Sequence, residues 1–506
     1  MNTRAETRYG TVQGTVQEGI RVWRGIPFAA PPVGSLRFRA PQEPEHWEGV
    51  REAVEAGPIA MQPVVKEAGR MSSQASAEVR SEDCLYLNIW SPAEGQGETA
   101  ARGLPVMLWI HGGAFVSGAG SLALYDGAPF VSSGEMVLVT INYRLGPFGF
   151  LHLASLGGEL ESNLGLLDQV AALRWVRDNI AAFGGDPERV TVFGESAGSM
   201  SIAALLAMPA AKGLFQRAIL QSGAAQVMQP GEAAQIARGV LAELAALSGS
   251  SLAEASAPGW LESRSAEDIL EAGERLKAKL SQGGIAPLLF QPVLEPATLP
   301  LEPDEAVREG SAAGVELLIG TNHDEGAYFI RQGAPVLQRE QVVQLLGQFG
   351  FADPAVLADA YEVSNEGQAE LVTDLIFWEP SLRLAEAQLP HAKVWMYRFD
   401  WCLEGHPHPF VSKSVHALEI PFVFRNLFFL EGMIGSLEPQ AEELAQRMQK
   451  AWIRFATTRE TDSLADWDAY ETERRTTWVF NREDKLVTDP DREKRLLLTE
   501  AAVEKQ

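Results

Sequence analysis

The sequence predicts an α/β protein with a central, twisted, mostly parallel sheet and helices on both of its faces. Continuous apolar runs at residues 106–110 and 137–141 are typical of strands that are buried on both sides. Residues 166–183 carry apolar side chains at spacings of three and four, which indicates an amphipathic helix. Strands and helices alternate along this part of the chain, and that order indicates a doubly wound sheet.

The other elements can be taken in chain order. Residues 7–30 alternate like a strand, and the prolines at the end of this segment exclude a helix. Residues 84–90 predict a further strand, whereas residues 61–82 predict a surface loop and residues 93–103 a flexible connection. Later strands are predicted at residues 190–193, 218–220, 315–319 and 394–399. A final amphipathic helix carries Leu444, Met448, Trp452 and Phe455.

Two long segments with a helical pattern lie between predicted strands, at about residues 230–282 and 336–390. In the first of them, Ser265 and Asp268 have the spacing of a capping box ahead of an apolar helix face. No linker-like segment separates these helices from the strands. We therefore expect one domain over residues 1–506, in which the two helical insertions form a cap.

The composition excludes several classes of partner. The chain has 506 residues, of which 46% are hydrophobic, and its net charge of −25 argues against binding to nucleic acid or to an anionic membrane. No apolar run has the length of a signal peptide or a membrane span, so we expect a cytoplasmic protein. The two cysteines, Cys84 and Cys402, cannot form a disulfide framework, which fits a reducing compartment.

A short motif at residues 194–198 carries the strongest chemical signal. It reads Gly-Glu-Ser-Ala-Gly, follows the predicted strand at residues 190–193 and precedes a helical pattern. This is the context of a nucleophile elbow, in which a tight turn raises the serine hydroxyl above the sheet and leaves no space for a Cβ two positions to either side. The alternative is a glycine-rich turn with a solvent-exposed serine. With both flanking elements present, we expect Ser196 to be a nucleophile.

A nucleophilic serine needs a histidine as its base and a carboxylate to orient that base. After a Gly-x-Ser-x-Gly elbow these residues follow in the order serine, acid, histidine. The loop at residues 320–326 follows a strand and offers Asp324 and Glu325, between which spacing does not decide. The loop at residues 401–416 offers three histidines, which spacing also leaves open: His406, His408 and His416. His391 precedes its strand and therefore lies at the wrong end of the sheet.

Backbone N–H groups are needed to stabilise the negative charge that develops during attack on a carbonyl. Gly112 and Gly113 follow the buried strand at residues 106–110, and the absence of side chains permits a close approach to substrate. The N–H of Ala197, directly after the serine, is the third candidate donor. We therefore expect Gly112, Gly113 and Ala197 to form an oxyanion hole.

Two long motifs, EDCLYLNIWSP at residues 82–92 and FGGDPERVTVFGESAG at residues 183–198, resemble those of the type B carboxylesterases. That family includes bacterial para-nitrobenzyl esterases, cholinesterases and the non-enzymatic neuroligins. Supporting stretches read RGIPFAAPPVG, WIHGGAF, NYRLGPFGFL, TNHDEG and HALEIPFVF. The resemblance extends from the N-terminus to about residue 426, and it implies an α/β-hydrolase fold with a helical cap.

The resemblance also implies roles for single residues. It makes Glu325 the acid and His416 the base of the triad, and it assigns the oxyanion hole to the three amides already named. It places Glu195 and Ser222 close to the triad, although plain hydrogen bonding within the core is an equal alternative for both. Secreted relatives pair the cysteine of the first motif with a partner upstream, where this chain has Ala60, so Cys84 is expected to be a free thiol.

The expected function is that of a serine carboxylic-ester hydrolase that acts on a small-molecule ester without a metal or another cofactor. Amidase, lactonase or thioesterase activity at the same site stays open, because all share acyl transfer to serine. A neuroligin-like binding module is a remote alternative, since it predicts a missing triad residue. The histidines at 406 and 408 are not expected to bind metal. The phenylalanines at 422, 424, 428 and 429 are expected mainly in the core, with a wall of the substrate pocket as the alternative.

Overall fold

The computed structural model describes residues 2–64, 78–92, 103–157, 160–257, 259–281, 288–330, 335–458, 464 and 467–501. Most of the predicted loop at residues 61–82 lies outside the described residues, as does the predicted connection at residues 93–103 apart from its last residue.

The strands of the described residues are β1 (Arg4–Thr7), β2 (Gly10–Gln13), β3 (Thr15–Gln17), β4 (Ile20–Pro27), β5 (Val50–Glu52), β6 (Ile59–Ala60), β7 (Arg80–Ser81), β8 (Tyr86–Pro92), β9 (Leu104–Ile110), β10 (Val137–Ile141), β11 (Gly185–Glu195), β12 (Arg217–Gln221), β13 (Glu316–Asn322), β14 (Val394–Phe399), β15 (Thr476–Phe480) and β16 (Lys485–Thr488).

Eleven of these strands form one sheet in the order β16-β15-β14-β13-β12-β11-β9-β10-β8-β4-β3. The seven strands from β15 to β10 run parallel to one another, and the strands at both edges pair antiparallel. The central strands are buried along their length because helices cover both faces. The prediction of a mostly parallel α/β sheet is confirmed.

The α-helices of the described residues are α1 (Ala128–Val131), α2 (Gly146–Phe150), α3 (Leu164–Asn179), α4 (Ala197–Ala207), α5 (Pro230–Ser248), α6 (Leu252–Ala255), α7 (Ala266–Leu280), α8 (Pro303–Arg308), α9 (Arg339–Gln348), α10 (Pro354–Ala358), α11 (Asn365–Val372), α12 (Glu379–Gln388), α13 (Pro409–Ser412), α14 (Ile420–Val423), α15 (Phe428–Ile434), α16 (Pro439–Thr457) and α17 (Arg492–Ala501). None of these helices is long and apolar enough to cross a membrane.

The helices α5 to α8 lie between β12 and β13 in the sequence, and α9 to α12 lie between β13 and β14. A π-helical segment, Thr373–Trp378, joins α11 to α12. Ser265 caps α7 as its spacing predicts, since its hydroxyl accepts a hydrogen bond from the backbone N–H of Asp268 at 3.1 Å. The predicted amphipathic helix is α16, whose apolar residues are buried against the sheet.

Two parts of the sheet differ from the sequence prediction. Residues 7–30 form several short strands rather than one, because the chain turns at Glu18 and Gly19, where φ is 49° and 81°. The strands β15 and β16 were not predicted, and they extend the sheet beyond β14. Both departures lie toward the two ends of the sheet and leave the parallel strands from β9 to β14 as predicted.

A buried ion pair fixes the segment that follows β10. The guanidinium of Arg144 donates to both oxygens of Asp168 on α3, at 2.8 and 2.7 Å, and its backbone N–H donates to the same carboxylate at 3.0 Å. Both side chains are almost fully buried. Such a bidentate contact holds the guanidinium and the carboxylate in one geometry, which explains why the arginine of the NYRLG segment pairs with an aspartate on a helix.

Candidate active site

The candidate residues lie on loops that leave the same edge of the sheet. Parallel strands end at one edge, so the residues directly after β9, β11, β12 and β13 come close together although they are distant in sequence. These positions hold Gly112, Ser196, Ser222 and Glu325, and His416 reaches the same edge from the loop after β14.

Ser196 lies on a strained turn between β11 and α4. Its φ of 54° and ψ of −121° are unfavourable for a residue with a side chain, and they raise the hydroxyl above the sheet. A Cβ at Gly194 or Gly198 would lie 2.7 or 2.0 Å from the carbonyl oxygen of Ile110 on β9. Only glycine fits at these two positions, so the turn has the steric requirement of a nucleophile elbow.

His416 and Glu325 form a buried hydrogen-bonded pair. Nδ1 of His416 lies 2.6 Å from Oε2 of Glu325, and the other carboxylate oxygen accepts from the backbone N–H of Asn322 at 2.7 Å. Since a carboxylate accepts, Nδ1 carries the hydrogen, and in the neutral imidazole the lone pair is on Nε2. That tautomer is the one a general base needs.

The other acid and base candidates lie elsewhere. Asp324 accepts from the backbone N–H of Ser414 and lies 3.2 Å from Nδ1 of His323, away from His416. Nδ1 of His408 accepts from the N–H of Phe410 at the start of α13, and Nδ1 of His406 accepts from the N–H of His408. These contacts organise the two loops locally.

The structure does not bring Ser196 into hydrogen-bond contact with His416. Among the described residues no group makes a hydrogen bond with the Ser196 hydroxyl, and Nε2 of His416 lies 3.1 Å from Oε1 of Glu195, the residue next to the serine. Catalytic hydrogen bonds often align only when substrate is bound. The imidazole therefore lies at the elbow, against the residue that precedes the serine.

Three glutamates are buried around His416. Besides Glu195 and Glu325 there is Glu419, which accepts from Nε2 of Gln221 at 3.0 Å and from Nδ2 of Asn322 at 2.7 Å. Burial raises the pKa of Glu195 well above its usual range, and the charges of Glu419 and Glu325 add to this against that of His416. The environment of Glu195 therefore favours its uncharged form.

The pKa of His416 is raised from its usual value of 6.5. Burial acts in the opposite direction, but the nearby carboxyl groups of Glu195 and Glu325 outweigh it, and the hydrogen bond to Glu325 adds to their effect. Among the groups that raise this pKa, Glu195 contributes most, and Glu325 contributes through both its charge and its hydrogen bond. The imidazole is consequently a stronger base than an isolated histidine.

Ser222 was predicted to lie near the triad, whereas Glu419 was not. Ser222 is fully buried with a φ of 53°, and its hydroxyl has no hydrogen-bond partner among the described residues. Glu419 was missed in the sequence, although it stands three residues after His416 in the same HALEIPFVF stretch. A carboxylate one helical turn from a candidate base was the available signal.

Of the three candidate oxyanion donors, Gly112 and Ala197 lie beside the serine, and Gly113 is the next residue after Gly112. A Cβ at Gly112 would lie 2.7 Å from Oε2 of Glu195 and 3.2 Å from Cβ of Ser196, and Gly113 has a φ of 114°. No described group accepts a hydrogen bond from the N–H of Gly112 or Gly113. The N–H of Ala197 is the first of α4 and has no acceptor within the helix.

Aromatic rings form one side of the site, which we call the aromatic wall: Tyr328, Phe329 and Phe377. Their ring centroids lie 5.9, 5.1 and 4.7 Å from that of His416, and Phe329 stacks on Phe377. Tyr328 and Phe329 are about half exposed. The position of these three rings beside His416 was not predicted from the sequence.

The phenylalanines considered for the pocket lie mainly in the core, as expected. Phe422, Phe424 and Phe429 are buried, and Phe424 packs against Trp109 at a centroid distance of 5.0 Å. Phe428 is the exception, with half of its side chain exposed.

Comparison with known proteins identifies the family of this chain. The model of the carboxylesterase family matches residues 2–498. The chain is 47% identical to the para-nitrobenzyl esterase of Bacillus subtilis (strain 168), over 97% of both chains, and 36% identical to the phenmedipham hydrolase of Pseudarthrobacter oxydans, over 92% of both. A thermophilic PNB esterase superposes with a TM-score of 0.90 at 46% identity, covering 98% of this chain and 100% of its own.

A carboxylesterase of Geobacillus stearothermophilus superposes with a TM-score of 0.83 at 39% identity, covering 98% of this chain and 100% of its own. The sheet, the elbow and these neighbours define an α/β-hydrolase. Within that class the chain belongs to the carboxylesterase family. It is an enzyme that hydrolyses carboxylic ester bonds, and the predicted family, fold and activity are confirmed.

Proposed function

We propose that Ser196, His416 and Glu325 hydrolyse the ester as a catalytic triad. The observation that carries this proposal is the 2.6 Å contact between Nδ1 of His416 and Glu325, which leaves the lone pair of Nε2 at the elbow. A serine hydroxyl attacks a carbonyl only weakly unless such a base accepts its proton. The negative charge of Glu325 then stabilises the imidazolium.

The reaction proceeds in two halves. Oγ of Ser196 bonds to the ester carbonyl carbon while Nε2 of His416 takes the hydroxyl proton, and the carbonyl oxygen becomes negative. The N–H groups of Gly112, Gly113 and Ala197 stabilise that charge. The bond to the alcohol then breaks and His416 protonates the alcohol. Water attacks the resulting acyl-serine in the same way and releases the acid.

Glu195 and Ser222 support the site without bonding to the substrate. Oε1 of Glu195 lies 3.1 Å from Nε2 of His416, and burial raises the pKa of this carboxyl, so Glu195 helps to set the pKa of the base. Ser222 follows Gln221, which pairs with Glu195 in the sheet, and its buried hydroxyl lacks a partner among the described residues. Their proximity to the triad supports these roles.

We further propose that small esters with an aromatic or apolar alcohol are the preferred substrates. The aromatic wall lies against His416, which protonates the leaving alcohol, so the alcohol lies near these rings. Burying an apolar group there contributes about 25 cal/mol per Å². The name of the Bacillus subtilis relative, para-nitrobenzyl esterase, agrees with such a preference.

The preference is tested with p-nitrobenzyl acetate and ethyl acetate, which share the acyl group. We expect kcat/KM to be at least about tenfold higher for the aromatic ester, since one apolar contact discriminates by about 10–200-fold. Phe329→Ala is expected to reduce that ratio, whereas Phe428→Ala, a change at another half-exposed phenylalanine, is the control. Equal kcat/KM values for both esters would contradict the preference, and faster cleavage of the matched p-nitrobenzyl amide would contradict the esterase.

Cytoplasmic location and a single-domain organisation with a helical cap stay part of the proposal. Both cysteines are free thiols, Cys84 in the core and Cys402 partly exposed, which supports a reducing compartment.

A further inference from the structure

His111 immediately precedes the glycines of the proposed oxyanion hole, and its side chain is buried. It directly follows β9 and is only 1% exposed. Its ring stacks on that of Tyr143, with centroids 4.5 Å apart and an angle of 23° between the planes. The hydroxyl of Tyr143 donates a hydrogen bond of 2.7 Å to the backbone oxygen of His111. Both the ring and the backbone of this residue are therefore held in place.

The imidazole of His111 makes one hydrogen bond, to the chain directly after it. Nδ1 lies 2.8 Å from the carbonyl oxygen of Gly112, and because a carbonyl only accepts, Nδ1 carries the hydrogen. Nε2 is buried and has no partner among the described residues. Burial lowers the pKa of His111 to about 4, against the hydrogen bond to Gly112, so the ring is neutral at neutral pH.

That carbonyl belongs to the peptide group whose other end is the N–H of Gly113. A peptide group is planar, so the direction of its C=O sets the direction of its N–H. A peptide between two glycines rotates with little steric hindrance, and here Gly113 has a φ of 114°. A hydrogen bond to the carbonyl of Gly112 removes that freedom. It also polarises the peptide and strengthens the N–H as a donor.

The opposite side of the contact is closed by Gly118. A Cβ there would lie 2.5 Å from Nδ1 of His111 and 2.6 Å from the oxygen of Gly112. The side-chain amide of Gln62 makes two hydrogen bonds of 3.0 Å with Gly118. Its oxygen accepts from the N–H of Gly118, and its nitrogen donates to the carbonyl oxygen of Gly118. The imidazole and the peptide therefore lie in a packed slot between Tyr143 and Gly118.

We propose that His111 is a positioning residue, which holds the Gly112–Gly113 peptide so that the N–H of Gly113 points at the oxyanion. This role rests on the proposed oxyanion hole. It differs from the roles of the triad, because His111 touches neither the substrate nor Ser196 and acts through one peptide group.

The matched variants His111→Asn and His111→Leu test this role. Asparagine places an N–H donor at the δ position, and leucine has the same branching without a donor. Both lose the ring stack, so their difference isolates the hydrogen bond. We expect His111→Leu to lower kcat by about 10–100-fold, less than the 10²–10³ for a removed oxyanion donor. KM should stay within about threefold, and His111→Asn should restore most of kcat.

An aryl trifluoromethyl ketone gives a second readout, because its adduct with Ser196 carries an oxyanion and a merely structural change would not weaken it selectively. Its inhibition constant should rise in His111→Leu by the factor that kcat/KM falls. If the leucine variant does not fold, His111→Ala supplies the variant without a donor. Equal kcat in the Asn variant and in the variant without a donor would overturn the proposal, as would an unchanged inhibition constant.

The esterase mechanism is judged separately. If Ser196→Ala is inactive while His111→Leu has the kcat of the wild type, only the positioning role fails. If Ser196→Ala keeps the wild-type rate, the proposed mechanism fails, and the positioning role of His111 is overturned with it.

Discussion

Ser196→Ala is expected to lower kcat for p-nitrophenyl acetate by about 10⁶-fold, which corresponds to about 8 kcal/mol of transition-state stabilisation. The substitution removes the only atom that bonds to the substrate carbon. Alanine has the same Cβ as serine, so the strain of the turn at φ 54° is unchanged. Thermal unfolding should therefore shift by no more than a few degrees.

The control for this experiment is Ser132→Ala, which removes an exposed hydroxyl that contacts only the backbone of Pro129. Its kcat should equal that of the wild type. A Ser196→Ala enzyme with a substantial fraction of wild-type turnover would contradict the proposed nucleophile, provided that contaminating wild-type enzyme is excluded by mass spectrometry.

Glu325→Gln is expected to lower kcat by about 10⁴-fold, as when the acid of a triad becomes an amide. Glutamine keeps the shape of the side chain but removes the negative charge that lies 2.6 Å from Nδ1 of His416. Its amide can also donate to Nδ1 and then places the hydrogen on Nε2, where the proton of the serine must go. Asp324→Asn, in the same loop but paired with His323, is the matched control and should change kcat little.

The Glu325→Gln variant also tests how the charge of Glu325 affects the pKa of His416. Since the base must be neutral and the pKa of His416 is raised, the acid limb of kcat/KM in the wild type should lie above pH 6.5. Activity is complete above that pKa and is lost as the pH falls through it. Removing the charge of Glu325 should move the limb to lower pH. A wild-type limb below pH 6.5, or a limb that does not move in the variant, would contradict the assignment.

The sequence predicts the scaffold of this site because the scaffold is local. The apolar runs that became β9, β10 and β11 specify buried parallel strands, and the glycines around Ser196 specify the elbow by their lack of a Cβ. Parallel strands then bring the loops after them to one edge of the sheet. Spacing alone left Asp324 and Glu325 equivalent, because the conformation of their loop decides which carboxylate meets His416.

Other parts of the site depend on packing between distant segments. Phe377 reaches His416 from a π-helical segment whose Thr373 hydroxyl accepts from the N–H of Gly326 at 3.0 Å. A helical pattern at residues 336–390 does not indicate where such a segment docks. The sequence places Glu419 three residues after His416, but its hydrogen bonds to Gln221 and Asn322, on β12 and β13, are set by packing between distant segments.

The most direct measurement of the central claim is the location of the acyl group during turnover. Wild-type enzyme is mixed with p-nitrophenyl acetate, stopped with acid after a few milliseconds, digested and analysed by mass spectrometry. We predict one acetyl group, carried by Ser196, and no acetylated peptide from Ser196→Ala under the same conditions. Full turnover with no acetyl group on Ser196, or with the acetyl group on another residue, would contradict the proposed mechanism.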